Sequence, residues 1–191
     1  MKTKTLIALA SCFLFMAAVS CSEQQSFTKK ITGDWWPVHA SGSIDNDVFS
    51  TSWDGDLGER GDIQLTLVSK SDPSRIVTST KYYPALSFGK DNRKNDALRY
   101  LDIRSLVQIK AGKYLKYKID GGKLFVETTN ENGTPTGEFD SGHPYKFIDK
   151  NSIKIDDVIY EEYSYYKETH RKSTVTEISD DSGLIPVMEY E

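Results

Sequence analysis

Residues 100–110 read Tyr100-Leu101-Asp102-Ile103-Arg104-Ser105-Leu106-Val107-Gln108-Ile109-Lys110, and their alternation decides the fold class. Odd positions carry Leu101, Ile103, Ser105, Val107 and Ile109; even positions carry Tyr100, Asp102, Arg104, Leu106, Gln108 and Lys110. Successive side chains of a strand point to opposite faces, so this period of two sets one apolar face against a core and leaves the other in water. Only Ser105 and Leu106 break the split. One long strand is expected, and its β-branched content argues against a helix over residues 95–106.

The same period recurs on both sides. Leu115, Tyr117 and Ile119 lead into Asp120-Gly121-Gly122, after which Leu124 and Val126 resume the alternation, the pattern of a tight hairpin. Ile63, Leu65 and Leu67 mark an earlier strand and Ile76–Tyr82 another. Tyr145 and Phe147 pair with Ile153 and Ile155 around Asp149-Lys150-Asn151, and Asn132-Gly133 marks one more turn. A last strand is expected from Val158 to about Lys167, through Tyr160, Tyr163, Tyr165 and Tyr166. No segment sustains a helical apolar stripe. Antiparallel strands joined by short turns fold into a closed up-and-down β-barrel or a β-sandwich, so the chain is expected to be all-β.

The first residues have the layout of an export signal. Lys2 and Lys4 precede an apolar run from Leu6 to Val19 that is too short to stay as a membrane span. Ala18-Val19-Ser20-Cys21 resembles a bacterial lipobox, with Ala18 where the family usually has Leu, and a polar stretch follows it. The resemblance implies cleavage before Cys21, a diacylglycerol group on its sulfur and acylation of the new amino terminus; two or more chains anchor a protein stably. The expected organisation is a signal peptide over 1–20, a lipid-anchored tether over 21–30, a folded domain over 31–172 and an edge strand or tail over 173–191. Ser22 replaces the Asp that resembles an inner-membrane retention signal, which favours the outer membrane and leaves open whether the domain faces the periplasm or the exterior.

Cleavage removes Cys12 and lipidation consumes Cys21, so disulfides, thiolate metal sites and cysteine nucleophiles are excluded from the mature chain. With Lys2 and Lys4 gone, 22 basic side chains face 28 acidic ones, a net charge near −6. That balance argues against a nucleic-acid partner, which needs a basic surface.

Gly33-Asp34-Trp35, at the start of the first strand, resembles the Gly-x-Trp signature of lipocalins and related bacterial domains. The resemblance implies a lipocalin-like barrel over 31–172. Gly33 would let the chain turn into it, Trp35 would plug one end, and Arg171 would stack over the Trp35 indole. Such barrels either fill their interiors or enclose one ligand. The expected function is therefore non-catalytic binding of a small apolar or amphipathic ligand at the cell envelope. The alternative is an interaction protein that presents its outer face or loops to an envelope protein or a glycan.

Other chemistry finds little footing. His39, His143 and His170 lack metal-ligand spacing and are expected at the surface or rim, and no metal or other cofactor is expected. Asp54-Gly55-Asp56-Leu57-Gly58-Glu59 spaces its carboxylates at alternate positions but lacks the terminal bidentate Glu of a calcium loop, so it reads as a solvated loop. Arg60-Gly61-Asp62 spells an adhesion tripeptide that three residues are too few to establish. Catalytic motifs are missing, and Glu161 and Glu162 should point to opposite faces. Trp36, Trp53, Tyr163 and Tyr165 remain as candidate ligand-binding residues. By strand parity only one of Trp35 and Trp36 should lie inside, and Tyr163 and Tyr165 should share a face.

Overall fold

A computed structural model describes residues 22–105 and 108–170, together with the chain path of Ser173–Val175 and Met188–Tyr190. Residues 1–20, expected to be a signal peptide, lie outside the described residues, as do Cys21, Leu106, Val107 and Arg171.

A first helix, α1, covers residues 22–31. The strands follow: β1 (Gly33–Asp45), β2 (Phe49–Asp56), β3 (Asp62–Ser69), β4 (Ile76–Tyr82), β5 (Ala85–Lys90), β6 (Asp96–Asp102), β7 (Lys110–Ala111), β8 (Leu115–Asp120), β9 (Lys123–Thr129), β10 (Pro135–Phe139), β11 (His143–Phe147), β12 (Ser152–Ile155) and β13 (Val158–Glu162). A second helix, α2 (Tyr163–Thr169), is followed by β14 (Ser173–Val175) and β15 (Met188–Tyr190).

Eight of these strands close on themselves in the order β1-β5-β6-β8-β9-β11-β12-β13, and β13 returns to pair with β1. Every neighbouring pair is antiparallel, so the chain forms an up-and-down barrel of lipocalin-like architecture. The hairpin at Asp120–Lys123 shows why the sequence folds this way. Gly121 and Gly122 both take positive φ (55° and 73°), the requirement of a two-residue turn whose twist matches the strands it joins.

β1 is long enough to serve two structures. Trp35 to Ala40 pair with β13 inside the barrel, whereas His39 to Asp45 pair with β2 and leave it. β2, β3 and β4 thus form an arm hung on the outer half of β1, with β4 at its free edge. The charged segment from Asp45 to Asp62 builds β2 and its loops.

The barrel interior is filled. Trp35, Leu86, Phe88, Leu98, Leu115, Tyr117, Ile119, Leu124, Val126, Ile153, Ile155 and Tyr160 pack in one buried cluster, joined by Phe27 and Ile31 of α1. Of the expected tether over 21–30, residues 22–30 are therefore not loose. Phe27 and Ile31, four apart on one helical face, enter the barrel, and the Phe27 ring meets Tyr145 at 4.6 Å and Phe88 and Tyr117 at 5.9 Å. Polar residues of α1 tie the same face down. Gln24 Oε1 accepts from the Ile119 amide at 2.7 Å, Glu23 Oε1 accepts from the Gly122 amide at 2.9 Å, and Thr28 Oγ1 donates to Asp96 at 3.2 Å. Burying Phe27 alone is worth about 2–3 kcal/mol by area.

A second core lies on the outside of the wall. Trp36, Ala85, Leu101, Ile103, Ile109, Ala111 and Tyr166 form it, with Val38 and Tyr163 packed alongside. Strand parity does send Trp35 and Trp36 to opposite faces, yet both are buried, at 1% and 0% exposed. Only Trp35 lies inside the barrel as parity requires, but Trp36 is not left at the rim or surface, because α2 covers the outer face, stacking Tyr166 on Trp36 at 5.9 Å and setting Tyr163 against it at 4.7 Å.

Two further expectations are corrected. The stretch from Tyr100 to Lys110 is not one strand: β6 ends at Asp102 and the chain doubles back, so that β7 pairs Leu101 with Ala111 and Asp102 with Lys110. The last strand stops at Glu162, whose side chain accepts from the Tyr165 amide at 3.2 Å and caps α2. Beyond α2, β14 and β15 pair with each other, and among the described residues neither pairs with a barrel strand.

Candidate ligand-binding cleft

With side chains packing the middle of the barrel, open space is found at one end of it, where the arm joins and where Tyr100 and Asp102 share the inward face of Leu98 by strand parity. A cleft of about 430 Å³ is lined by Tyr82, Tyr83 and Pro84 from the β4–β5 connection, by Tyr100, Asp102, Ile103 and Arg104 from the end of β6, and by Lys110, Ala111 and Gly112 around β7. Its volume falls within the range of small-molecule sites. The doubling back of the chain after Asp102 builds one wall, and the Gly112 amide donates to the Tyr100 carbonyl at 2.8 Å to fix it.

The opposite wall is braced from behind. The Tyr83 amide donates to the Gly61 carbonyl at 2.8 Å, and the Trp53 indole N–H donates to the Tyr83 hydroxyl at 3.0 Å. Lys81 places its ammonium 4.4 Å from the Trp53 ring and 5.1 Å from that of Tyr83. Tyr82 and Tyr100 keep 44% and 39% of their surface in solvent, so two large rings are presented rather than packed away. Between them Asp102 and Arg104 form a two-pronged ion pair, Nε to Oδ1 at 2.9 Å and Nη2 to Oδ2 at 2.6 Å. The Arg104 hydrogen bonds hold the Asp102 carboxyl below its ordinary range despite partial burial. Aromatic faces beside charged hydrogen-bonding groups suit a ligand with both apolar faces and hydroxyls.

A second cleft of about 540 Å³ lies between the β2–β3 loop and α2, lined among others by His39, Asp56, Glu161, Tyr166 and His170. His39 bridges two carboxylates, Nδ1 to Asp56 at 3.0 Å and Nε2 to Asp54 at 2.7 Å, and the Asp56 hydrogen bond is the main force raising its pKa. Asp54 and Asp56 of the supposed solvated loop are therefore strand residues that hold a histidine. His170 Nε2 lies 3.1 Å from Glu161 Oε2. His143 repeats the double clamp on the barrel, with Nδ1 at 2.6 Å from Asp156 and Nε2 at 2.8 Å from Asp140. Among the described residues no group of three or more His, Cys, Asp and Glu is placed to hold a metal ion.

The structure disperses the residues singled out from sequence. Trp36 is sealed under α2, its indole N–H donating to the Glu59 carbonyl at 3.1 Å, and Tyr163 packs against it. Tyr165 is on the exposed side of α2 and does not share a strand face with Tyr163, since both belong to a helix. Trp53 alone supports the cleft, from behind Tyr83. Gly33, at φ 129°, stands at the junction of α1 and β1, and the Trp35 indole N–H donates to the Ile31 carbonyl at 2.7 Å, closing the last turn of α1. The cleft residues Tyr82, Tyr83, Tyr100, Arg104 and Lys110 were missed, although Tyr100 and Arg104 fall on the polar side of the alternation that opened the reading.

The fold and site thus define a closed, lipocalin-like barrel with an aromatic cleft at one end. No protein-family model matches the chain, and no curated protein or solved structure matches it either.

Proposed function

We propose that this chain is a lipid-anchored, lipocalin-like envelope lipoprotein that binds its ligand, without catalysis, in the aromatic cleft at the barrel end rather than in the packed middle of the barrel. The observation that carries this reading is the contrast between an interior occupied by Phe27, Ile31 and Trp35 and a cleft that leaves Tyr82 and Tyr100 half in solvent. The ligand is a saccharide. Ring faces of Tyr82 and Tyr100 would pack against sugar C–H faces, while Asp102, Arg104 and Lys110 offer charged partners to hydroxyls or to an acidic sugar. The filled interior speaks against carriage of a lipid within the barrel.

Anchoring rests on the Ala18-Val19-Ser20-Cys21 resemblance, and the docked α1 adds a consequence. With residues 22–31 bound to the barrel, the anchor leaves no long spacer, so the domain would sit close to the lipid surface. Two measurements test the reading. Screening the purified mature chain against an oligosaccharide panel should give binding that Tyr100→Ala weakens about tenfold; recovery of a stoichiometric lipid from native preparations would overturn the cleft in favour of the packed interior. Cys21→Ser should release the protein from membranes, and a variant that still partitions with them removes the lipid anchor.

A further inference from the structure

β4 pairs with β3 along its whole length, from Val68 opposite Ile76 to Asp62 opposite Tyr82, and among the described residues no strand lies on its other side. Free edges are normally guarded by charge, proline, a bulge or short length, because their unpaired N–H and C=O groups template pairing with another chain. β4, Ile76-Val77-Thr78-Ser79-Thr80-Lys81-Tyr82, has only one of these guards, a single charge. It runs seven residues without proline or register shift. Its single charge, the Lys81 ammonium, is drawn back over Trp53 and Tyr83. Ile76 stands 60% exposed at one end and Tyr82 44% exposed at the other.

We propose that this edge pairs with the same edge of a second copy of the chain, antiparallel about Ser79, giving a twofold dimer whose sheet runs from one arm into the other. The strand is complementary to itself in that register. All seven residues overlap: Ile76 lies opposite Tyr82 of the second copy, Val77 opposite Lys81, Thr78 opposite Thr80, and Ser79 opposite Ser79. These are the aromatic with β-branched and Thr–Thr pairs that stabilise antiparallel sheets. No cation meets a cation, since Lys81 faces Val77, and Arg75, one residue before the strand, faces Tyr83. Parity is kept, so Ile76, Thr78, Thr80 and Tyr82 share a face across the junction. A twofold axis requires one patch to match itself, and this one does. Because Tyr82 also lines the cleft, Ile76 of the second copy would stand at the cleft rim.

At about 3.4 Å per residue the contact is a strip about 24 Å long. It covers less than the roughly 800 Å² per partner of a standard interface, so the dimer is weak and concentration-dependent. The pairing is independent of the saccharide reading. Analytical ultracentrifugation of the mature chain carrying Cys21→Ser should show the mass rising from one copy to two between about 1 µM and a few hundred µM. Ser79→Lys, which sets two ammonium groups face to face on the axis, should hold the chain monomeric with its unfolding midpoint unchanged. In the Cys21→Ser background Ser79→Cys supplies the one thiol, and mild oxidation should yield a covalent dimer. Thr66→Cys on β3 should stay monomeric under the same oxidation. The proposal fails if the chain is monomeric throughout that range, if Ser79→Cys cross-links no better than Thr66→Cys, or if the dimer survives Ser79→Lys. It fails equally if β4 amides gain protection from hydrogen exchange only when a foreign extended peptide is added, which would assign the edge to another protein.

Discussion

The barrel and the arm are made from the same alternating strands, and they spend that alternation differently. In the barrel one face of each strand meets a shared interior, and part of the other face is covered again by α2, so β5 is buried at Ala85, Leu86, Ser87 and Phe88 in succession. In the arm β4 is exposed or half-exposed at every residue, and β2 never goes beyond half-burial. Chain that buries so little cannot add much to stability and is free to serve recognition. The lesson is a division of labour within one continuous sheet. The barrel holds the fold, and the arm, with the β6–β7 reversal beside it, carries the cleft and the open edge.

The contrast is broken most directly by truncating a residue on each side. Phe27→Ala empties the plug and should cost about 3–5 kcal/mol in urea unfolding, whereas Ile76→Ala on the open edge should stay within about 0.5 kcal/mol. Equal losses would mean that the arm is as much a part of the core as the barrel. The cleft gives the next effect. Tyr100→Ala or Tyr82→Ala should weaken saccharide binding by about tenfold, roughly 1.4 kcal/mol, with little change in the unfolding midpoint. Titration calorimetry beside thermal melts separates the two readouts.

The smallest effect is a pH dependence. Burial opposes protonation of His143, yet its hydrogen bonds to Asp156 and Asp140 prevail and raise its pKa above the ordinary 6.5. His39 is raised likewise by Asp56 and Asp54. A histidine whose folded pKa is raised stabilises the fold fully below its unfolded pKa, and loses that contribution as pH climbs through the folded value. The melting midpoint should therefore fall as pH rises from 6 upward, by a modest amount because both rings are about one-third exposed. His143→Gln together with His39→Gln should flatten the slope.

Much of the fold was legible because period two is a local signal. The hairpin at Asp120–Lys123, the strand Ile76–Tyr82 and the β11–β12 pair could be read from alternation and turn residues alone. The reversal after Asp102 escaped because the residues on both limbs kept the alternation, although the break at Ser105 and Leu106 falls in the connection between β6 and β7. α1 escaped because only Phe27 and Ile31 of its ten residues are deeply buried, too narrow a stripe to stand out from a polar stretch. α2 was mistaken for strand because Tyr163, Tyr165 and Tyr166 favour either state, and the Glu162 cap that ends the strand is a local bond visible only in the folded chain. The cleft was the least legible feature. Tyr82, Tyr100 and Lys110 come together only through the β5–β6 pairing and the β6–β7 reversal, which no spacing encodes.

The three tryptophans report the three regions separately: Trp35 lies in the barrel interior, Trp36 under α2, and Trp53 behind the cleft. The direct test is to follow their indole N–H resonances by NMR while adding first a binding oligosaccharide and then oleate as a probe of the interior. The expected result is a shift of Trp53, whose N–H is bonded to Tyr83, on adding the saccharide, with Trp35 and Trp36 unmoved by either ligand. A saturable shift of Trp35 with oleate while Trp53 stays still would contradict the filled barrel and return the binding site to its interior.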